Sequence, residues 1–171
     1  MIKNSSKMQA LRKNIKLIVI DVDGTLTDGK IYMGNDGEVF KAFDIKDGCG
    51  IHNILPRHDI IPVIITARQS KIVLNRCVEL GILECHQGVC NKLEVMREIA
   101  DKYGVKHNEK DIYEEIAYIG DDIIDIECML HCGIIACPNN AVEKVKSISD
   151  FISSFNGGEG AVREFIECIT D

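Results

Sequence analysis

Leu17-Ile18-Val19-Ile20-Asp21-Val22-Asp23-Gly24-Thr25-Leu26-Thr27 is the stretch on which the reading of this chain turns. Four apolar residues in a row, three of them β-branched, describe a short strand buried on both faces, as in a parallel sheet covered by helices. The run stops at two carboxylates one residue apart and a glycine. Acids at the end of a buried strand are costly unless something binds them. The crevice outside the carboxyl ends of the strands is where open α/β sheets take their ligands. Hard divalent cations bind carboxylate oxygens, and Mg²⁺ is commonly shared between one or two carboxylates and a substrate phosphate. The plainer alternative is a strand that ends in an ordinary acidic Asp-Gly turn.

Working outward, residues 29–43 contain two short apolar-polar runs around Gly34-Asn35-Asp36-Gly37, which indicates a hairpin. A helix is expected over 47–55, its start marked by Asp47, and a second buried strand over 60–65, running into Thr66-Ala67-Arg68. Helical spacing over 70–80 stops at Gly81, a short strand follows over 82–85, and a helix with one apolar face occupies 92–103. Then come a buried strand over 116–119, the acidic run Gly120-Asp121-Asp122-Ile123-Ile124-Asp125, and a helix over 123–130. A strand over 133–136, a short helix over 141–145, a small strand at 151–152 and a terminal helix over 161–169 complete the pattern. The last helix is preceded by a flexible Asn156-Gly157-Gly158-Glu159-Gly160. Strands alternating with helices imply an α/β fold, a doubly wound parallel sheet between two helical layers. One domain is expected over 1–171, with an N-terminal extension over 1–14.

The chain has 171 residues, enough for one α/β domain with a full core. Its formal net charge is −7, and no long basic run is present, which argues against nucleic acid as a partner. No stretch approaches the ~18 apolar residues of a membrane span, and 1–14 lacks the apolar core of a signal peptide. The expected location is therefore the cytoplasm, with no membrane partner. The eight cysteines form no C-x-x-C pair and read as buried reduced thiols.

Four polar clusters fall at strand ends or a helix start: Asp21/Asp23, Thr66, Lys92 and Asp121/Asp122/Asp125. In a parallel sheet these ends share one edge, so the groups can converge. Each has an ordinary structural use. Thr66 and Asp121-Asp122 can cap helices, Asp125 can be a solvated helix acid, and Lys92 can be a surface lysine, although it opposes the helix dipole there. As an ordered set they suit phosphoryl transfer through an aspartyl-phosphate. One carboxylate attacks phosphorus, a second protonates the leaving oxygen and then activates water, and the later acids complete a Mg²⁺ site. A hydroxyl and a lysine bind the phosphoryl oxygens.

With these residues in view the chain resembles the haloacid dehalogenase superfamily of phosphatases. Asp21-Val22-Asp23-Gly24-Thr25 matches its first motif, Thr66 the second, Lys92 the third and Gly120–Asp125 the fourth. The resemblance implies a Rossmann-like fold, Asp21 as nucleophile and Asp23 as general acid/base. It implies Mg²⁺ on the Asp21 carboxylate, the Asp23 backbone carbonyl and Asp121, with Asp122 and Asp125 supporting the site from behind. Leu26-Thr27-Asp28-Gly29, Phe43-Asp44-Ile45-Lys46-Asp47-Gly48, Gln87-Gly88-Val89-Cys90-Asn91-Lys92-Leu93 and Gly157-Gly158-Glu159-Gly160-Ala161-Val162-Arg163-Glu164 narrow it further. They are similar to the capless subgroup acting on phosphorylated sugar acids such as 3-deoxy-D-manno-octulosonate 8-phosphate. That subgroup implies a homotetramer in which the hairpin builds subunit contacts and the glycine-rich segment reaches towards a neighbour's site. The spacing agrees with a missing cap, because residues 24–65 and 67–91 are used up by a hairpin and helix–strand pairs.

Arg68, two positions after the motif-two threonine, matches the octulosonate enzymes, and a guanidinium suits bidentate binding of a carboxylate. Relatives acting on nonulosonate 9-phosphates share all the motifs but can carry an acid there, so an N-acylneuraminate-type substrate is the alternative. Arg76, Asp47, Gly48 and Arg163 are the further candidate substrate contacts. Ala67 stands where the family usually has glycine. A receiver-type phosphoacceptor domain also combines acids, Mg²⁺ and a lysine, but its phosphorylated aspartate follows a later strand, and here the later strand ends in Thr66.

Overall fold

The computed structural model describes Ile2 and residues 5–171; Met1, Lys3 and Asn4 of the expected N-terminal extension lie outside the described residues. Six strands form one parallel sheet: β1 (Leu17–Ile20), β4 (Ile61–Thr66), β5 (Glu84–Gln87), β6 (Tyr113–Ile119), β7 (Cys132–Cys137) and β8 (Phe151–Ile152). Their order across the sheet is β5-β4-β1-β6-β7-β8. The remaining two, β2 (Tyr32–Gly34) and β3 (Gly37–Phe40), pair with each other as the antiparallel hairpin. The chain winds outward from β1 through β4 to β5, then returns to β1's other side at β6. That reversal opens a crevice at the carboxyl ends of β1 and β6.

Alternation along β1 sorts the core into two halves. Ile18 and Ile20 face α3 (Lys71–Leu80) and α7 (Ala161–Thr170), where Val73, Cys77, Leu80, Val162, Phe165, Ile166 and Ile169 are buried with them. Leu17 and Val19 face the other way, towards α4 (Lys92–Lys102), α5 (Ile126–Met129) and α6 (Glu143–Ile148), against Leu93, Met96, Ile99, Met129 and Val145. The three-layer doubly wound fold is thus the expected one. Between β1 and β4 lie only the hairpin, α2 (Ile45–Cys49) and the tight turns over 50–58, and between β4 and β5 only α3. No cap is inserted at either place.

Several boundaries differ from expectation. Helix α2 is capped by Asp44, whose carboxylate accepts from Lys46 N, so it starts before Asp47. Strand β5 lies at 84–87 and not 82–85, because its paired run continues through polar His86 and Gln87. A search for apolar runs ends too early there. The helix expected over 123–130 opens as a 3-10 turn, Ile123–Asp125, before α5. Helix α6 begins at Glu143, after a turn closed by Ala141 N donating to Pro138 O. The extension over 1–14 holds an unexpected helix, α1 (Ser5–Leu11), whose Met8 enters the core. Cys77, Cys128, Cys132 and Cys137 are buried as expected, but Cys49 and Cys90 are exposed.

The glycine-rich segment is not loose. Gly158 N donates to Thr25 O, and Gly157 N donates to Asn140 Oδ1. A Cβ on Gly157 would lie 1.8 Å from the Gly24 carbonyl oxygen. Only a residue without a side chain permits this backbone-to-backbone approach. Gly157→Ala must therefore push the segment off the Asp23-Gly24 turn. The expected outcome is a loss of roughly 1–3 kcal/mol in urea unfolding, the usual range for forced overpacking, together with a fall in turnover.

Candidate active site

The parity of β1 decides where Asp21 points. It follows Ile20 and continues the Leu17–Val19 face, the side on which α4 packs. Asn91 caps α4 by accepting from Glu94 N, which sets Lys92 at the first helical position. Lys92 Nζ there donates to Asp21 Oδ1 at 2.6 Å and to Asp125 Oδ1 at 2.7 Å. Because β1 and β6 run in register from Leu17↔Ile116 to Ile20↔Ile119, Asp121 comes one residue beyond the level of Asp21. Asp21, Asp121 and Asp125 each offer an oxygen, and these lie within 4.8 Å of one another. Thr66 closes β4 beside β1 and is buried.

The turn after β1 is built to admit this cluster. Gly24 has φ +99°, and a Cβ on it would sit 2.2 Å from Asp121 Oδ2. Thr25 Oγ1 donates to Asp121 Oδ1 at 3.2 Å. Asp125 is fully buried, and its carboxylate accepts four donors. Lys92 and the Tyr118 hydroxyl (2.7 Å) reach Oδ1, while the backbone N–H groups of Asp121 and Asp122 reach Oδ2 at 3.2 Å. A carboxylate has about four lone-pair positions, so Asp125 has none left for an ion. Asp122 is exposed, and its side chain caps the 3-10 turn through Ile123 N.

One lysine faces three carboxylates. Burial first, and then the Asp125 charge, push Asp21 up to about 8 and Asp121 up to about 6. Burial alone would lower Lys92, but Asp21 and Asp125 outweigh it and hold it above its ordinary value. Desolvated acids with too few counter-charges fit a divalent cation, whose charge reverses this logic. Asp21 and Asp121 are the carboxylates free to take it.

The other expected residues are spread over a second region. Asp23 is paired with Lys41, at the end of the hairpin, whose ammonium also meets Glu38 at 3.0 Å. Arg68 reaches Glu38 at 3.4 Å and is partly exposed. Ala67 does not adopt a positive φ, so alanine needs no strain there. Arg76 lies over the Phe43 ring, 5.6 Å from its centroid, and lines a cleft of ≈ 490 Å³ with Lys41, Ile72 and Asn75. Gly48 lies tight against Arg76, where a Cβ would be 2.3 Å from Nη2. Asp47, expected among the substrate contacts, is instead buried under the start of α7, accepting from Arg163 N at 2.7 Å. The Arg163 guanidinium turns to Glu167. Lys41, Thr25 and Tyr118 were missed by sequence reasoning. Thr25 stood inside the quoted motif without a role, and the other two read as hairpin and strand residues.

A family model described as haloacid dehalogenase-like hydrolase matches residues 59–166. The chain is 39% identical over 165 residues to the 3-deoxy-D-manno-octulosonate 8-phosphate phosphatase KdsC of Escherichia coli (strain B / BL21-DE3), covering 96% of this chain and 84% of that protein. It is similar to the crystal structure of the same-named phosphatase from Yersinia pestis, with a TM-score of 0.87, 36% identity, and coverage of 96% of this chain and 85% of that one. The structure from Moraxella catarrhalis, in complex with magnesium ion, phosphate ion and a KDO molecule, matches with a TM-score of 0.87 at 37% identity, covering 95% and 90% of the two chains.

The raised acids give a signed expectation. In the metal-free protein Asp21 and Asp121 hold protons that the unfolded chain releases near its ordinary carboxylate value of 3.8. The folded state therefore binds more protons between about pH 4 and 8, and its stability falls as pH rises through that window. Mg²⁺ should reverse the loss, and by more at pH 8 than at pH 6. At about a hundredfold over its Kd the ion adds about 2.7 kcal/mol, a Tm rise of about 5–10 °C for this size. Melting curves in chelator and in Mg²⁺ at the two pH values check it.

Proposed function

Since the chain belongs to the haloacid dehalogenase-like hydrolases, in the 3-deoxy-D-manno-octulosonate 8-phosphate phosphatase family, we propose that it hydrolyses that sugar-acid phosphate through an aspartyl-phosphate on Asp21. The enzyme is a Mg²⁺-dependent phosphoric monoester hydrolase. The observation that carries the reading is the buried Asp21–Lys92–Asp125 chain beside Asp121, at the carboxyl ends of β1 and β6. The relatives named above for this activity support the substrate class.

In this reading Asp21, Asp121 and the Asp23 backbone carbonyl would hold Mg²⁺, which when bound would neutralise phosphoryl charge and keep the buried acids ionised. Lys92 restrains Asp21 from one side and offers its ammonium to the phosphoryl oxygens. Thr66, level with the turn after β1, offers a hydroxyl to the same group. An Asp21 oxygen bonds to phosphorus as the ester P–O bond breaks, and Asp23 gives the departing oxygen its proton. Asp23 then takes a proton from the water whose oxygen bonds to phosphorus, releasing phosphate and restoring Asp21. Asp125, saturated by four donors, fixes Lys92 and the turn after β6.

An uncapped crevice needs another way to exclude water. The hairpin supports assembly into a homotetramer. Ile31, Met33, Val39 and Phe40 are each at least half exposed on it, apolar side chains of the kind found at protein contacts. The −7 charge supports a small anionic sugar over nucleic acid as the ligand only in company with Mg²⁺ and the arginines. Arg68 remains our selector for the substrate carboxylate, releasing Glu38 when it binds.

Asp21→Asn should abolish turnover, because an amide is a poor nucleophile; near-normal phosphate release would end the mechanism. Phosphate release from 3-deoxy-D-manno-octulosonate 8-phosphate should exceed that from an N-acylneuraminate 9-phosphate. Arg68→Ala should raise KM for the first by about tenfold to a hundredfold, the equivalent of a charge-assisted hydrogen bond of ~1.5–3 kcal/mol. A reversed preference moves the enzyme to nonulosonate substrates.

A further inference from the structure

Lys41 is the one lysine besides Lys92 that is buried among the described residues, and its side chain is 2% exposed. A buried ammonium must be matched by acceptors. Lys41 has two carboxylates, Asp23 Oδ1 and Glu38 Oε1 at 3.0 Å. Glu38 is itself fixed. It accepts from the Ser70 hydroxyl at 2.5 Å and from Arg68 at 3.4 Å, and Ser70 is the cap of α3. The hairpin thus ends in a polar chain running from the start of α3 through Glu38 and Lys41 to Asp23. Nothing in a hairpin's own stability calls for a buried lysine, and the hairpin has its own packing in the stacked rings of Tyr32 and Phe40, 4.1 Å apart.

We propose that Lys41 is a positioning residue for Asp23, holding Oδ1 so that Oδ2 is the oxygen that exchanges protons with the reacting groups. The proposal rests on the aspartyl-phosphate reading above. In the first step Asp23 Oδ2–H passes its proton to the ester oxygen. That oxygen keeps the electron pair of the breaking P–O bond, while an Asp21 oxygen bonds to phosphorus. The carboxylate charge left on Asp23 then lies against the Lys41 ammonium. In the second step Asp23 Oδ2 accepts a proton from water as the water oxygen bonds to phosphorus and the bond to Asp21 breaks. Lys41 holds one geometry through both steps, anchored from behind by Glu38.

Leaving-group chemistry separates this role from a structural one. An alkoxide leaving from a sugar phosphate needs the proton, whereas p-nitrophenolate hardly does. General acid catalysis contributes on the order of 10²–10⁴-fold. Lys41→Met should therefore lower kcat/KM, which reports formation of the aspartyl-phosphate, by about a hundredfold or more on the sugar phosphate and by less than about tenfold on p-nitrophenyl phosphate. The later water step is common to both substrates, so kcat should fall on both, and Lys41→Arg should recover part of the kcat/KM loss on the sugar phosphate. Equal losses of kcat/KM on the two substrates, or an unchanged kcat on both, would overturn the proposal. If Lys41→Met does not fold, Lys41→Met with Glu38→Gln removes the stranded charge and is read on the same two substrates. Glycerol 3-phosphate replaces the sugar acid if the unaltered protein ignores the latter. Failure of the unaltered protein to release phosphate from all three of these substrates with Mg²⁺ would overturn the phosphatase reading itself, and this proposal with it.

Discussion

Three carboxylates share a buried space with one lysine, and much of the molecule is arranged to make that tolerable. Asp21, Asp121 and Asp125 converge because two parallel strands end at the same level, not because local sequence draws them together. The cost of desolvating them is offset in two ways. Lys92 neutralises one charge and Asp125 is saturated with donors, which leaves the Asp21–Asp121 pair short of positive charge. That shortage is the chemical basis for binding a cation and then a phosphoryl group, which brings its own negative charge. A site fully neutralised by its own side chains would have little use for the ion.

The sheet supplies the rigidity this arrangement needs. Strand β1 is buried on both faces and flanked by β4 and β6, so the start of the Asp21 turn has almost no freedom. The groups assigned above to the leaving side of the substrate are different in kind. Asp23, Lys41, Glu38 and Arg68 sit on the turn, the hairpin and the loop after β4, and they hold one another through charge. The proposed mechanism thus places phosphoryl binding on the strand ends and leaving-group chemistry on elements at the rim.

Much of this was legible in the sequence, for identifiable reasons. The double burial of β1 leaves a run of apolar β-branched residues, and the acids at its end interrupt that run abruptly. Lys92 could be noticed because a lysine at a helix start is electrostatically misplaced. The alternation of strands and helices gave the sheet class, and the short intervals between motifs left no room for a cap. What was not legible depended on long-range pairing. Lys41 looks like any hairpin lysine until the fold sets it beside Asp23. Tyr118 looks like a strand residue until Asp125 turns back over it. The bounds of β5 were missed because its last pairs are His86 and Gln87, polar residues held by their neighbour β4 and not by hydrophobicity. Asp47 is placed differently from the expectation for a related reason. A carboxylate near a motif suggests a ligand contact, but the start of α7, far along the chain, claims it.

The contact between Gly157 and the Gly24 carbonyl joins two stretches far apart in the chain. The acid pair lies early in the sequence, and the segment that backs its turn lies far downstream. Unless residues 157–158 settle against Gly24 and Thr25, that turn lacks this backing, however well β1 has paired. The shape of the acid turn is therefore a tertiary property: pairing within the sheet does not set it alone, and any displacement of the segment before α7 reaches Gly24 and Thr25 directly.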